Sequence, residues 1–488
     1  MIAKKIQAII LAAGKSTRFN TGRTKLIEKI CGQEMVLYPI KLFKSMHIPI
    51  TLVLGYQKEL VEQVLIQNCE HEHCHIVYQE AQRGTADAVL CSKPTWHADY
   101  ILVINGDMPL VTQEIIEKLY ATHHEKKAVI SFVTSHADPL LGSYGRVIQD
   151  KENIKIVEAK EFKGDPTEHC CINAGIYLIN RDFLQAHINR IQPSEVAQEF
   201  YFTDLIKIAS DARHTIATIT APFDQIRGIN TFKELWVSEQ IKKSELISMW
   251  MDRGVRFSIA HNVHIDLDVS IGAGSYIGCG SILLKGTKVG NNCKIEEFSS
   301  LDNAIVGDST TILSHCIIKD SAIGTQATIG PFAHIRNQSM LGDKVIVGNF
   351  VEIKQSIIGP DSRMKHLAYI GDTVMGSNVN IGAGTITCNH DGANKHKTTI
   401  KDNAYIGSNN TLVAPLMVGK GAFTAAGSVI TDNVPDNALG IGRARQINKE
   451  GYAEKLRKRR TAQQKNADET PFIPAVKTDK DSSITENS

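Results

Sequence analysis

The sequence predicts two folds in one chain, an α/β sheet over residues 1–229 and an all-β parallel helix of short repeats over residues 254–454. Three observations carry that division. Up to about residue 230, aliphatic runs such as ITLVLGY (50–56), YILVING (100–106) and AVISFVT (128–134) alternate with amphipathic stretches such as VTQEIIEKLYATHH, the pattern of an α/β sheet. Beyond 254, aliphatic residues return every six positions, a period belonging to neither an α-helix nor a simple strand. Between the two, TFKELWVSEQIKKSELISMWMDRGV reads as one amphipathic helix, a linker over 230–253 stopped by Gly254.

The first element, Ile6 to Leu11, is an aliphatic segment with the length of a parallel strand covered on both faces. The residues after it form more than a turn. Gly14, Ser16 and Thr17 are small enough for backbone N–H groups to approach an anion, and Lys15, Arg18 and Lys25 add positive charge. The spacing is neither GxxxxGK[ST] nor GxGxxG. Nor does the stretch suit an export signal: Gln7 interrupts a short apolar run, and cations stand where small neutral residues would precede cleavage. Ligands on α/β sheets collect at the carboxyl ends of strands, and VINGDMPL delivers Asp107 to the same edge as the glycine loop.

The bulk properties narrow the class. A net charge of +2 gives no reason to expect nucleic acid or a membrane surface as partner, and no apolar stretch approaches a transmembrane length. Ten cysteines without a CxxC pair point to reduced thiols in the cytoplasm.

In the second half, the six-residue count selects Ile265, Ile271, Ile277, Leu283, Val289, Ile295 and Leu301 as inward positions. After a slip it selects Ile305, Ile317, Ile323, Ile329, Ile335, Leu341, Val347 and Ile353, with Thr311 as a gap. It resumes at Ile400, Ile406, Leu412, Val418 and Ile430, with Thr424 as an exception. Each unit would form one strand and a turn, and three units a triangular coil stacked about 4.8 Å from the next. Breaks near 355–370 and 384–399 are expected to be loops extruded between coils and to carry a second site. The tail, 455–488, loses periodicity and is expected to be disordered; its cluster Lys455, Arg457, Lys458, Arg459 and Arg460 lacks interleaved aromatics and reads as a solvated helix end. The Cys69, His71, His73, Cys74, His75 cluster has no standard zinc spacing and reads as a polar loop.

Beyond these patterns, specific motifs carry a resemblance. LAAGKSTR with Lys25, QEAQRGTADA, NGDMPL, YGRV, VEAKE, INAGI and GIN occur in the order seen in sugar-1-phosphate nucleotidyltransferases. GPFAHIR, VGNFVEIK, KHLAYIGD, NVNIGAGTITCN, DGANKHKT, IGSNNTLVAP and AAGSVI come after them in the second half. Together they resemble the family of bacterial bifunctional N-acetylglucosamine-1-phosphate uridyltransferases and glucosamine-1-phosphate N-acetyltransferases, over about residues 6 to 451. The resemblance implies a Rossmann-like nucleotidyltransferase sheet, a left-handed parallel β-helix and a homotrimer with acetyl-transfer grooves shared between subunits.

It also implies residue roles. Ala13 and Gly14 would line the nucleotide, Arg18 and Lys25 offset triphosphate charge, and Gln79, Gly84 and Thr85 read uracil. Asp107 and Asn230 would hold Mg²⁺, a hard ion suited to oxygen ligands; Gly145, Glu158 and Asn173 would receive the N-acetylglucosamine moiety. In the β-helix His366 would be the general base, since an ordinary imidazole, with a pKa near about 6.5, is available neutral at cytoplasmic pH. Arg336 and Lys354 would grip the acceptor phosphate, Tyr369, Asn380 and Asn389 orient the sugar, and Ala383, Ser408, Ala426 and Arg443 line the acetyl-CoA groove. Four positions depart from the family: Asn105 for Tyr, Thr24 for Pro, His390 for Tyr, and Arg227 for an acidic residue, where an added cation is expected to draw on phosphate charge or disturb the ion. An alternative is a nucleotidyltransferase whose β-helix is only a scaffold.

Overall fold

The computed structural model describes residues 5–136, 144–150, 153–165 and 170–467. The predicted strand forms over Ile6–Ala12, inside a sheet ordered Ile216–Thr220, Ile130–His136, Cys171–Asn180, Tyr100–Asn105, Ile6–Ala12, Ile50–Leu54, Cys74–Tyr78. Neighbours run parallel except Cys171–Asn180, which is antiparallel on both sides and also carries the hairpin Arg146–Asp150/Asn153–Val157. Gln7, the polar residue in the first strand, is buried but satisfied: Nε2 donates to Thr51 Oγ1 (2.9 Å) and Thr95 Oγ1 (3.1 Å), and Oε1 accepts from His97 N–H (3.2 Å). Leu11 pairs with Asn105, so Ala13–Gly14 and Gly106–Asp107 leave the sheet side by side.

The linker helix spans Phe232–Asp252. Thr231 Oγ1 accepts Glu234 N–H (3.2 Å) and Glu234 Oε2 accepts Asn230 N–H (2.6 Å), a capping arrangement that fixes Asn230 at the helix entry. At the other end Ile247 and Trp250 are buried in the β-helix core. Leu246 joins Phe19, Ile30, Met35, Tyr38 and Ile229 in a smaller cluster, and Leu267 N–H donates to the Cys31 carbonyl (3.0 Å), so the two folds meet through packed apolar side chains and backbone bonding.

The repeats form the left-handed parallel β-helix, with three parallel sheets of eleven, ten and nine strands. Its phase differs from the six-residue count in the middle. Four sides have five residues rather than six, between the inward residues Leu301 and Val306, Ile318 and Ile323, Ile353 and Ile358, and Ile370 and Met375. The core therefore takes Val306, Ile312 and Ile318, while Ile305 and Ile317 are 52% and 51% exposed and Thr311 leaves no gap. The break near 355–370 is not a loop either: Ile358, Met364 and Ile370 continue the core, and only 389–397 is extruded, between Ile386–Cys388 and Thr398–Ile400. Met364 hid that coil because the count followed β-branched and leucine positions alone.

The first part of the tail is helical, over Tyr452–Ala467, rather than disordered. Ala, Leu, Lys, Arg and Gln are strong helix formers, and Glu454 pairs with Lys458 at 2.9 Å one turn on. The basic cluster is solvated on it. Residues 468–488 lie outside the described residues.

Candidate active site

The carboxyl edge of the sheet opens into a cleft of about 530 Å³ lined by Ala13, Gly14, Arg18, Lys25, Gln79, Gly84, Thr85, Asp107 and Asn230. A second lobe of about 270 Å³ adds Gly145, Glu158 and Asn173. Arg18, Thr85, Asn105, Asp107 and Asn230 line both, so every residue expected at the first site converges, with Asp107 and Asn230 where the lobes meet.

Local chemistry explains the convergence. Ser16 adopts a left-handed conformation, and its Oγ accepts Lys25 N–H (3.0 Å), folding the glycine loop back on itself. Gln79 Nε2 donates to the Gly84 carbonyl (3.1 Å) and Asp87 Oδ2 (2.8 Å). Gly84 has φ +120° and lies so close to the Phe200 backbone that a Cβ would come within 2.5 Å of its oxygen. In the second lobe Asn173 donates to Tyr177 Oη (2.6 Å) and accepts from Gly175 N–H (3.1 Å), while Glu158 accepts from Thr203 Oγ1 (2.7 Å). Burial pushes the Glu158 carboxyl above its ordinary pKa.

At the junction Lys25 Nζ contacts both Asp107 Oδ2 and Asn230 Oδ1, the latter at 2.8 Å, and Arg18 Nη2 reaches the same Asn230 oxygen at 3.0 Å. Asp107 Oδ1 is buried with no hydrogen-bond partner. Hard oxygens that already gather cations and retain an unpaired buried lone pair fit a divalent ion such as Mg²⁺.

In the β-helix Arg336 and Lys354 are register neighbours on consecutive coils. Arg336 donates from Nε and Nη2 to Glu352 Oε1 (2.9 and 2.7 Å), and Lys354 Nζ stands 3.8 Å from Asp372. Tyr369 lies one coil on, over Gly371, where a Cβ would sit 2.6 Å from the phenol oxygen. His366 pairs in register with Asn349, and its Nδ1 lies 3.0 Å from Asn349 Oδ1. The amide oxygen can only accept, so Nδ1 donates and Nε2 becomes the proton-accepting nitrogen. Asn380 continues the sheet of His366. Ala383, Ser408 and Ala426 rise from His366 along one corner, tied by Gly384 N–H to Leu367 O, Asn409 N–H to Ala383 O and Gly427 N–H to Ser408 O (2.9, 2.7 and 2.8 Å). Arg443 packs beside Gly427, and Asn389 roots the extruded loop. Within one chain His366, Ala383, Ser408 and Ala426 thus occupy one edge of a prism face, and Arg336, Lys354 and Asp372 the other.

The sequence matches the model of the MobA-like NTP transferase domain over residues 8–158 and that of the GMPPB C-terminal domain over 259–352. Among curated relatives, the Bifunctional protein GlmU of Clostridioides difficile (strain 630) is 38% identical over 92% of this chain and 97% of its own length. Those of Geobacillus sp. (strain WCH70) and Thermotoga petrophila are 38% and 36% identical over 93% of this chain, covering 98% and 100% of theirs. The chain belongs to the GlmU family. It is accordingly a bifunctional enzyme, a uridyltransferase and an acetyltransferase of UDP-N-acetylglucosamine synthesis.

The departures from the GlmU pattern now have places. Arg227, the cation expected to draw on phosphate charge or disturb the ion, turns away: it pairs with Asp224 (2.7 Å) and stacks over the Phe223 ring (4.5 Å). Asn105 projects over Gly175, whose φ of +78° forms part of the bulge between Asn173 and Tyr177. Thr24 keeps a proline-like φ of −65°, and its N–H donates to Gln57 Oε1 (2.8 Å). His390 Nδ1 accepts Gly392 N–H (3.1 Å) and so shapes the extruded loop. Three contributors escaped sequence reasoning. Glu234 was legible as the T-x-x-E cap after Asn230. Tyr144, whose phenol burial pushes up to about 12, accepts Gly228 N–H (3.0 Å) and steadies the segment leading to Asn230. Asn349 required the true coil length, since it lies seventeen residues before His366.

Proposed function

We propose that the two lobes of the cleft hold UTP and N-acetylglucosamine-1-phosphate, and that the sugar phosphate oxygen attacks the α-phosphorus while the bond to pyrophosphate breaks. Ala13 and Gly14 line the nucleotide, Gln79, Gly84 and Thr85 read the base, and Gly145, Glu158 and Asn173 take the sugar. Lys25 and Arg18 move from Asn230 to phosphate oxygens. Asp107 and Asn230 hold Mg²⁺, which supplies charge neutralisation on the triphosphate. The observation that supports this reading is the meeting of the two lobes at Asp107, Asn230, Lys25 and Arg18.

In the β-helix, His366 Nε2 takes the proton as the amine of glucosamine-1-phosphate attacks the thioester of acetyl-CoA, releasing the thiol. Arg336 and Lys354 bind the phosphate, Tyr369, Asn380 and Asn389 orient the sugar, and Ala383, Ser408, Ala426 and Arg443 receive acetyl-CoA. The active form is a homotrimer in which Ala383, Ser408 and Arg443 of one subunit meet Lys354 and His366 of the next. Supporting this, Ile305, Met340, Ile357, Val374 and Met417 form an exposed column on one outer sheet, linked by strand register through Ala322 and Thr399. A monomer would leave that column in water. The setting is the cytoplasm, a reading supported by ten cysteines with no disulfide among the described residues.

The test assays the full chain twice: pyrophosphate release from UTP and N-acetylglucosamine-1-phosphate with Mg²⁺ or EDTA, and thiol release from acetyl-CoA with glucosamine-1-phosphate. Both signals are expected, the first only with Mg²⁺. Missing thiol release would leave the β-helix as a scaffold.

A further inference from the structure

Three of the residues assigned to the acetyl acceptor converge on one dipeptide, Gly371–Asp372. Tyr369 lies over Gly371 so closely that no side chain fits there. Asp372 Oδ2 accepts from Asn389 Nδ2 and stands 3.8 Å from Lys354 Nζ. The backbone binds the same parts: Asp372 N–H donates to the Lys354 carbonyl (3.0 Å), and Thr398 N–H, at the far root of the extruded loop, donates to the Asp372 carbonyl (3.2 Å). Lys354 and Asp372 are both largely buried, with side chains 12% and 8% exposed.

We infer that Asp372 is a positioning residue for the acceptor phosphate and sugar, aiming the Lys354 ammonium and the Asn389 amide at the substrate through one shared oxygen. The inference rests on the acceptor-site reading proposed for the β-helix and deepens it. An ammonium on a four-carbon stem has many rotamers, and a buried carboxylate behind it selects one. That oxygen also engages the Asn389 amide nitrogen, which leaves the Asn389 carbonyl oxygen as the acceptor for a sugar hydroxyl. A rigid pair of contacts binds the acceptor in ground and transition states alike, so its loss falls mainly on KM. The left-handed φ of +49° at Asp372 places the carboxylate at the corner between two faces, within reach of both partners.

The experiment compares wild type, Asp372→Asn, Lys354→Ala and the double variant in the full chain. Asp372→Asn keeps size and one acceptor oxygen but removes the charge. It should raise KM for glucosamine-1-phosphate about tenfold or more, with kcat within about threefold and KM for acetyl-CoA unchanged. The double variant should be scarcely worse than Lys354→Ala, because the two act as a unit. The unchanged KM for acetyl-CoA reports that the β-helix is folded, and uridyl transfer of the same preparations that the sheet domain is. If Lys354→Ala leaves acetyl transfer intact, the acceptor-site reading falls and this inference with it. If Lys354→Ala is impaired while Asp372→Asn matches wild type, or impairs both substrates equally with additive effects, only the positioning role of Asp372 is overturned.

Discussion

The cleft in the sheet and the groove on the β-helix are assembled by opposite means. Cleft residues come from positions as distant as Ala13 and Asn230, collected because strand ends lie side by side and a helix cap delivers the last of them. Groove residues come from one corner repeated coil after coil, so that His366, Ala383, Ser408 and Ala426 share an address and differ by one stacking step. A site gathered by topology tolerates no displaced element. A site gathered by repetition is legible once the length of each side is counted correctly, but one face offers only one edge at a time.

The strongest way to break this comparison is Asp107→Ala, which removes the oxygens meeting both lobes. Uridyl transfer should fall about 10²- to 10³-fold, as when a principal electrostatic group is lost, while acetyl transfer stays near wild type. Comparable loss of both in a folded variant would show that the sites are not separately built. His366→Ala is the counterpart, expected to lower acetyl transfer by about 10² to 10⁴ without weakening substrate binding to match. Preformed N-acetylglucosamine-1-phosphate should then restore UDP-sugar production. A variant with wild-type rate and pH profile would remove His366 from the mechanism.

Placing Ile357→Glu in the middle of the exposed apolar column asks whether repetition alone suffices. An unpaired carboxylate there should shift the sedimenting mass from the three copies proposed above to one and lower acetyl transfer about tenfold or more, with uridyl transfer retained. A fully active monomer would make the groove a single-chain site.

Much of this was legible in the residues. The sheet, the linker helix and the β-helix each announced themselves by period, and the motifs carried the family. The middle coils were misphased because a five-residue side shifts every later position by one, and Ile305 and Ile317 offered aliphatic side chains at the wrong places. Met364 at an inward position hid a coil that looked like a loop. Partners such as Asn349 and Tyr144 depend on that register or on tertiary contact, which no local pattern encodes.

The sheet domain also carries an acid sensitivity. His123 is 1% exposed, bonded through Nδ1 to Ser131 Oγ (2.7 Å), with Nε2 buried and unpartnered. Burial pushes its imidazole from the ordinary 6.5 down to about 4. Below pH 6.5 the unfolded chain takes up this proton first, so stability is lost as pH falls from about 6.5 to about 4 and is unaffected above pH 7, by at most about 3 kcal/mol. Amide exchange in Ile130–His136 should accelerate over that window, and His123→Phe should flatten the dependence. An unchanged slope in the variant would assign the acid sensitivity to other groups.

The smallest effect sharpens the comparison from the other side, by restoring a family residue. Thr24→Pro places proline at a φ of −65°, which the ring prefers, immediately before Lys25. Two effects oppose each other. Reduced freedom of the unfolded chain stabilises by about 0.4–1 kcal/mol, and the lost N–H bond to Gln57 Oε1 costs about 0.5–1.5 kcal/mol. Gln57 stays anchored through its Nε2 bond to the Gly22 carbonyl (2.8 Å), and Lys25 keeps its own N–H bond to Ser16, so the glycine loop retains its shape. The net change should therefore lie within about 1 kcal/mol, with KM for UTP unchanged. A large rise in KM would mean that the polar contacts of Thr24, its N–H to Gln57 and its Oγ1 accepting Leu26 N–H, rather than the backbone conformation it shares with proline, position Lys25 in this chain.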